Sequence, residues 1–219
     1  MNWLKRNLTS SIGKKIFMAI SGLLLIGFLI FHLAGNLTLL GGVDFFSKYI
    51  HLLHSTGPTV MVAEVILGSI FLAHILLGFV LTLQNWKARP KKYAVMNNRG
   101  GETYASITMP WSGLAILFFL VLHLLDYTVK NYAQGLESHE LAELVVNSFT
   151  NTARLVFYIA VVIVVGIHVS HGFWSLFQSL GLGSERHTPA LKKLANALGV
   201  IFAVGFGCLP ILALSLVGK

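Results

Sequence analysis

Five histidines fall inside long apolar runs of this sequence: His32, His74, His123, His168 and His171. An ionisable side chain in hydrocarbon is expensive and marks a functional position by default. One such residue also reads as a hydrogen-bonded packing group; four separate runs carrying one each point to shared chemistry. Burial favours neutral imidazole, the form that ligates metals. The other four histidines, His51, His54, His139 and His187, fall in polar connections or at their edges. Glu64 is the single acid set well inside an apolar run. It is a candidate to hydrogen-bond a quinone or pass its protons, and it also fits an acid that reaches interfacial water. The lone cysteine, Cys208, excludes a disulfide framework, a Cys-ligated zinc site and an iron–sulfur cluster built from this chain alone.

The elements that must position these residues are membrane spans. Hydrophobic residues make up 55% of the 219 and charged residues 11%, against roughly 25% charged in soluble domains; mean hydropathy is +0.76. A soluble domain so poor in charge could not cover its surface, and a disordered chain needs the opposite bias. Five stretches reach the roughly 20 apolar residues that a span requires: 16–40, 59–83, 107–129, 155–177 and 194–217. The expected fold is an all-α integral membrane protein, a bundle of five transmembrane helices forming one domain over residues 1–219. The apolar run behind the basic Met1–Arg6 is too long for a signal h-region, so a retained first span is expected. Pro58 and Pro110 are expected at or near helix starts, Gly41-Gly42 and Gly181–Gly183 after helix ends, and Pro210 inside the last span. No internal repeat is expected.

The net charge of +8 could suggest nucleic acid; in a chain this apolar it reports topology, because Lys and Arg collect on cytoplasmic loops. With the N-terminus cytoplasmic, one side holds twelve basic residues, among them Lys14, Lys15, Lys87, Arg89, Arg186, Lys192 and Lys193. The other holds four: Lys48, Lys130, Arg154 and Lys219. The expected location is therefore the cell (inner) membrane, multi-pass, with no nucleic-acid partner. In the outer loops, Phe45, Phe46, Tyr49, Ile50 and Leu53 would form one face of a short interfacial helix, as would Leu141, Leu144 and Val145. Ordinary turns with scattered apolar residues give the same pattern.

Depth sorts the histidines. Spans one and three run outward, and His32 and His123 lie beyond the midplane; spans two and four run inward, and His74 and His168 lie at or inside it. The set splits into an outer pair, His32 with His123, and an inner pair, His74 with His168. Zinc would want three or four ligands on one point, whereas two facing imidazoles in a helix bundle suit the axial positions of haem iron. His171 shares a helix face with His168 but is less deep; it is left to orient a propionate, bind quinone or pack against Trp174. Gly27, Gly35, Gly78, Gly166 and Gly172 neighbour the candidates and would admit a flat macrocycle or simply pack helices. Ser10, Ser11, Lys14, Lys15, Ser21, Trp86, Lys87 and Trp111 are available to propionates on the inner side, with belt aromatics the other reading of the tryptophans.

Phe31-His-Leu-Ala-Gly-Asn36, Ala73-His-Ile-Leu-Leu-Gly78, Leu122-His-Leu-Leu-Asp126 and Gly166-Ile-His-Val-Ser-His-Gly-Phe-Trp-Ser175 resemble the haem-ligand segments of one family. It is the single-chain, five-helix, di-haem cytochrome b anchor of succinate dehydrogenase and fumarate reductase. Ser10-Ser-Ile-Gly-Lys-Lys15, Asn147-Ser-Phe-Thr-Asn151 and Phe177-Gln-Ser-Leu-Gly181 are similar too. The resemblance implies two haem b groups, the inner on His74 and His168 and the outer on His32 and His123. It implies a flavoprotein and an iron–sulfur subunit on the cytoplasmic face, and electron relay to a membrane quinone, often menaquinone. Glu64 carries over only loosely to the quinone pocket. The chain has no dinucleotide fingerprint and no Cys cluster, so electrons must arrive from another protein. An anchor of a hydrogenase or formate dehydrogenase would concentrate its ligands on fewer helices; a proton or solute transporter would use the histidines and Glu64 without a chromophore; an anchor that has lost its haems would keep the fold alone.

Overall fold

A computed structural model describes residues 10–88 and 104–218. Its helices are α1 (Ser11–Leu37), α2 (Val43–Ser55), α3 (Pro58–Ala88), α4 (Tyr104–His123), α5 (Lys130–Gln134), α6 (Ser138–Ser148), α7 (Thr152–Ser179) and α8 (Thr188–Ser215). A 3-10 turn, Thr38–Gly41, follows α1, and a π-helical segment, Leu124–Val129, joins α4 to α5. Among the described residues there is no strand. Five stretches are long and apolar enough to cross a membrane: Ser11–Gly41, Pro58–Ala88, Ile107–Gln134, Thr152–Ser179 and Thr188–Leu216. Lys5, Arg6, Arg89, Lys91, Lys92, Arg99 and Lys219, which bear on the expected topology, lie outside the described residues.

Each span is longer than its apolar run because polar turns are held by caps. Ser10 accepts a hydrogen bond from the Gly13 N–H at 2.9 Å, so α1 begins five residues before the apolar run. Asn151 does the same for α7 through the Arg154 N–H at 3.0 Å. Pro58 opens α3 as expected. Pro110 does not open a helix: α4 starts at Tyr104 and carries the proline inside. Pro210 lies buried within α8, which continues through it. Gly42 (φ 88°) and Gly181 (φ 73°) end helical runs in the left-handed region, where a side chain would be strained.

Neighbouring spans run antiparallel, and the tightest packing joins α7 to α8. A Cβ on Gly166 would sit 2.5 Å from the Gly199 carbonyl oxygen, so only glycine permits this backbone approach. Leu33 of α1 fills the space beside Gly205. Ala19, Ile26, Leu33, Val165, Val169, Phe202 and Leu209 form the resulting α1–α7–α8 core. The apolar stretches of α3 and α4, in contrast, contain no fully buried residue. The short helices exist, and they do more than lie on an interface. Phe46 and Ile50 of α2 and Ala142 and Val146 of α6 are buried with Leu39, Phe149, Tyr158 and Ala213 across the outer end of the bundle. The sorting of faces differs from the sequence reading: Phe45 and Leu53 point outward, and Ala142 and Val146 rather than Leu144 carry the burial. "Inner" denotes here the end at which α1 begins.

Candidate functional site

The four candidate histidines lie on four helices, His32 on α1, His74 on α3, His123 on α4 and His168 on α7. At the outer level, the His32 ring of α1 and the His123 ring of α4 stand edge to face with centroids 5.9 Å apart. Phe28 and Phe206 pack on His32, and Phe119, Tyr127 and Tyr158 pack around His123. Asn36 donates to the His32 carbonyl at 2.8 Å and reaches its Nε2 only at 3.4 Å. His123 Nδ1 is buried with no hydrogen-bond partner. An orphaned buried nitrogen is costly unless something else takes it up.

At the inner level, His74 of α3 and His168 of α7 each meet a serine, on α1 and on α4, that lies eleven residues inward of an outer histidine. Ser21 Oγ of α1 lies 3.1 Å from His74 Nδ1, and Ser112 Oγ of α4 lies 2.9 Å from His168 Nδ1. The next residue on each helix is a glycine that faces the same ring. A Cβ would come within 3.4 Å of His74 Cε1 at Gly22 and within 3.6 Å of His168 Cε1 at Gly113.

The two levels repeat one arrangement. Met18, Ser21, Gly22 and His32 recur at the same spacing as Met109, Ser112, Gly113 and His123. His74-x3-Gly78-Phe79 on α3 recurs as His168-x3-Gly172-Phe173 on α7. Eleven residues from Ser21 to His32, and from Ser112 to His123, make three helical turns. Serine and histidine therefore share a face with about 16 Å of rise between them. The two pairs are stacked along the bundle by that distance, more than the small offset that depth counting alone suggests. The internal repeat runs against the sequence expectation of none; it becomes visible once the serines are seen to face the histidines.

A π-helical turn follows His123 directly, a feature often found at functional sites. Asp126 in that turn accepts a hydrogen bond from Tyr158 at 3.1 Å and pairs with Arg154 at 3.1 Å. Tyr127 and Ser148 share a hydrogen bond at 2.7 Å beside it. This cluster flanks the outer pair, whereas the sequence places Arg154 merely among the outer charges and Asp126 only at the end of a histidine segment. Among the described residues no group of three or more His, Cys, Asp or Glu converges on a point, so the donor set suits two-ligand axial binding and not a zinc cage. An uncommitted ring nitrogen on His123 and serine-braced imidazoles at the inner level fit haem iron.

Residues 95–207, just over half of the chain, match the family model described as the succinate dehydrogenase/fumarate reductase transmembrane subunit. The chain belongs to this family. No match is found among the curated proteins or among the solved structures. The matched segment of the transmembrane subunit carries His123 and His168; His32 and His74 lie before it and are tied to it by the repeated motif.

Other sequence candidates fall elsewhere in the subunit. Glu64 joins neither pair: it is exposed near the start of α3 and accepts a hydrogen bond from Tyr132 of α5. His171 meets Trp174 edge to face with centroids 6.3 Å apart, and Lys192 covers that indole at 4.5 Å. Of the glycines expected beside a macrocycle, Gly35 and Gly166 serve helix packing, against Tyr49 and α8. Ser21, counted among propionate donors, bonds His74 instead.

Proposed function

We propose that this membrane subunit is a di-haem cytochrome b that relays electrons between a flavoprotein and iron–sulfur pair on the cytoplasmic face and a membrane quinone. The observation that carries the reading is the arrangement of four histidines at two levels, one from each of four helices, the outer two in contact and the inner two each set on a serine eleven residues inward. His74 and His168 would hold the inner haem and His32 and His123 the outer. A haem held by two histidines supplies a one-electron carrier whose iron keeps no open position. The chain's own residues do the rest: the helices fix the vertical spacing, and apolar side chains exclude water from both levels.

The inner end is proposed as cytoplasmic, in the cell (inner) membrane. Lys14, Lys15, Lys87, Lys192 and Lys193 lie there, which supports that orientation and offers a basic face for the partner subunits to dock. Glu64, joined to Tyr132 at the outer rim, is proposed to handle protons for the quinone, with menaquinone the first candidate. The test is succinate addition to the purified complex. Succinate should reduce the b-type absorption bands and a quinone should reoxidise them. Succinate-driven quinone reduction in a complex whose b-type bands are absent or stay oxidised would overturn the relay.

A further inference from the structure

We propose that Ser21 and Ser112 are positioning residues for the inner pair, each holding its facing histidine as the Nδ1–H tautomer and thereby keeping the lone pair on Nε2. This deepens the di-haem reading and rests on it.

The hydrogen-bond directions decide the tautomer. Ser21 Oγ lies 3.0 Å from the Met18 carbonyl oxygen and 3.1 Å from His74 Nδ1. Ser112 Oγ lies 3.1 Å from the Met109 carbonyl oxygen and 2.9 Å from His168 Nδ1. A hydroxyl has one proton and two lone pairs. A carbonyl accepts only, so both contacts are hydrogen bonds only when the hydroxyl donates to the methionine carbonyl one turn back and its oxygen accepts from imidazole. Nδ1 then carries the ring proton and Nε2 is the ligating nitrogen. Ser21 is buried, 7% exposed. Two helices built on Met-x2-Ser-Gly make the same arrangement independently. At the outer level no serine plays this part: His123 Nδ1 is without a partner, and His32 meets the Asn36 amide at Nε2.

An N–H that donates to an acceptor makes a ligating imidazole more basic. A more basic ligand favours the more highly charged oxidised iron. Removing the serine oxygen should therefore move the inner potential in the positive direction.

The experiment uses the purified complex with Ser21→Ala, Ser112→Ala, the double variant and the two Ser→Thr variants. It reads pyridine haemochrome stoichiometry, a redox titration of each spectral component, and the low-temperature EPR g values of the oxidised protein. Both alanine variants are expected to shift the inner component positive and change its g values, with the outer component unmoved. A tenfold loss of preference for oxidised iron reads as 59 mV. Threonine, which keeps the hydroxyl, should restore the wild-type potential. Loss of the inner haem in an alanine variant but not in its threonine counterpart would equally support positioning. Two haems with unmoved potential and g values in both alanine variants would overturn the inference while leaving the di-haem reading intact. Equal shifts in both components would also overturn it. A wild-type complex without haem would instead refute the di-haem reading, and this inference with it.

Discussion

The inner and outer histidine pairs are held by the same two helices in opposite roles. At the inner level α1 and α4 supply the shelf, Ser21-Gly22 and Ser112-Gly113, and the histidines come from α3 and α7. At the outer level α1 and α4 supply the histidines themselves. The surroundings differ as well. Small residues and hydroxyls back the inner rings, whereas aromatic rings and the Asp126–Arg154 ion pair surround the outer ones. Three helical turns on one face let a single helix both brace one histidine and present the next. On the di-haem proposal the two sites would be tuned separately, the inner through hydrogen bonds to imidazole and the outer through nearby charge.

The largest separation of the two levels is expected from Arg154→Ala. Arg154 and Asp126 are 31% and 18% exposed, so removing the arginine strands a largely buried carboxylate. Asp126 keeps its hydrogen bond from Tyr158, so the cost should be about 2 kcal/mol, between that of an exposed and of a buried pair. Thermal melts of the purified complex should show the outer spectral component lost first; simultaneous loss of both would mean the ion pair serves the whole bundle. Next comes Gly113→Leu, which fills the space beside His168. A side chain in that gap should strain the inner level by about 2 kcal/mol and lower inner-haem occupancy alone, as read by difference spectra. Equal loss at both levels would break the distinction. Tyr158→Phe removes one hydrogen bond to Asp126 and should cost about 1 kcal/mol, again with the outer component affected and the inner unchanged. The smallest effect on either level is expected from Glu64→Gln. Haem content and both potentials should stay as in the wild type, while quinone reduction slows severalfold. An altered haem spectrum would place Glu64 closer to the outer pair than its contact with Tyr132 implies.

The spans are legible because an unbroken apolar run of about 20 residues rarely forms anything but a membrane helix, and the four histidines because imidazole in hydrocarbon is costly. The pairing follows from counting residues from each span's end. Helix limits are less legible, since Ser11–Lys15 is polar and helical only through the Ser10 cap. Ser21 and Ser112 are hidden for a different reason. A serine in an apolar helix ordinarily bonds its own backbone, and only the histidine across the interface reveals its second role. Asp126 and Arg154 are far apart in sequence, and each looks like an ordinary outer charge. The π-helical turn after His123 adds to the difficulty, because it changes the phase in which 3.6-residue counting would place Asp126 and Tyr127. Glu64 is recognisable as an unusual acid, but its partner Tyr132 lies past the end of the apolar run 107–129, where the helical span continues to Gln134.

The central claim is that the four histidines act as two pairs. The direct measurement is haem b per chain, with difference spectra, in the wild type and in His32→Ala, His74→Ala, His123→Ala and His168→Ala. Two haems are predicted in the wild type and one in each variant. His74→Ala and His168→Ala should lack the same spectral component, and His32→Ala and His123→Ala the other. Loss of different components within a pair, or a colourless wild type, would contradict the account.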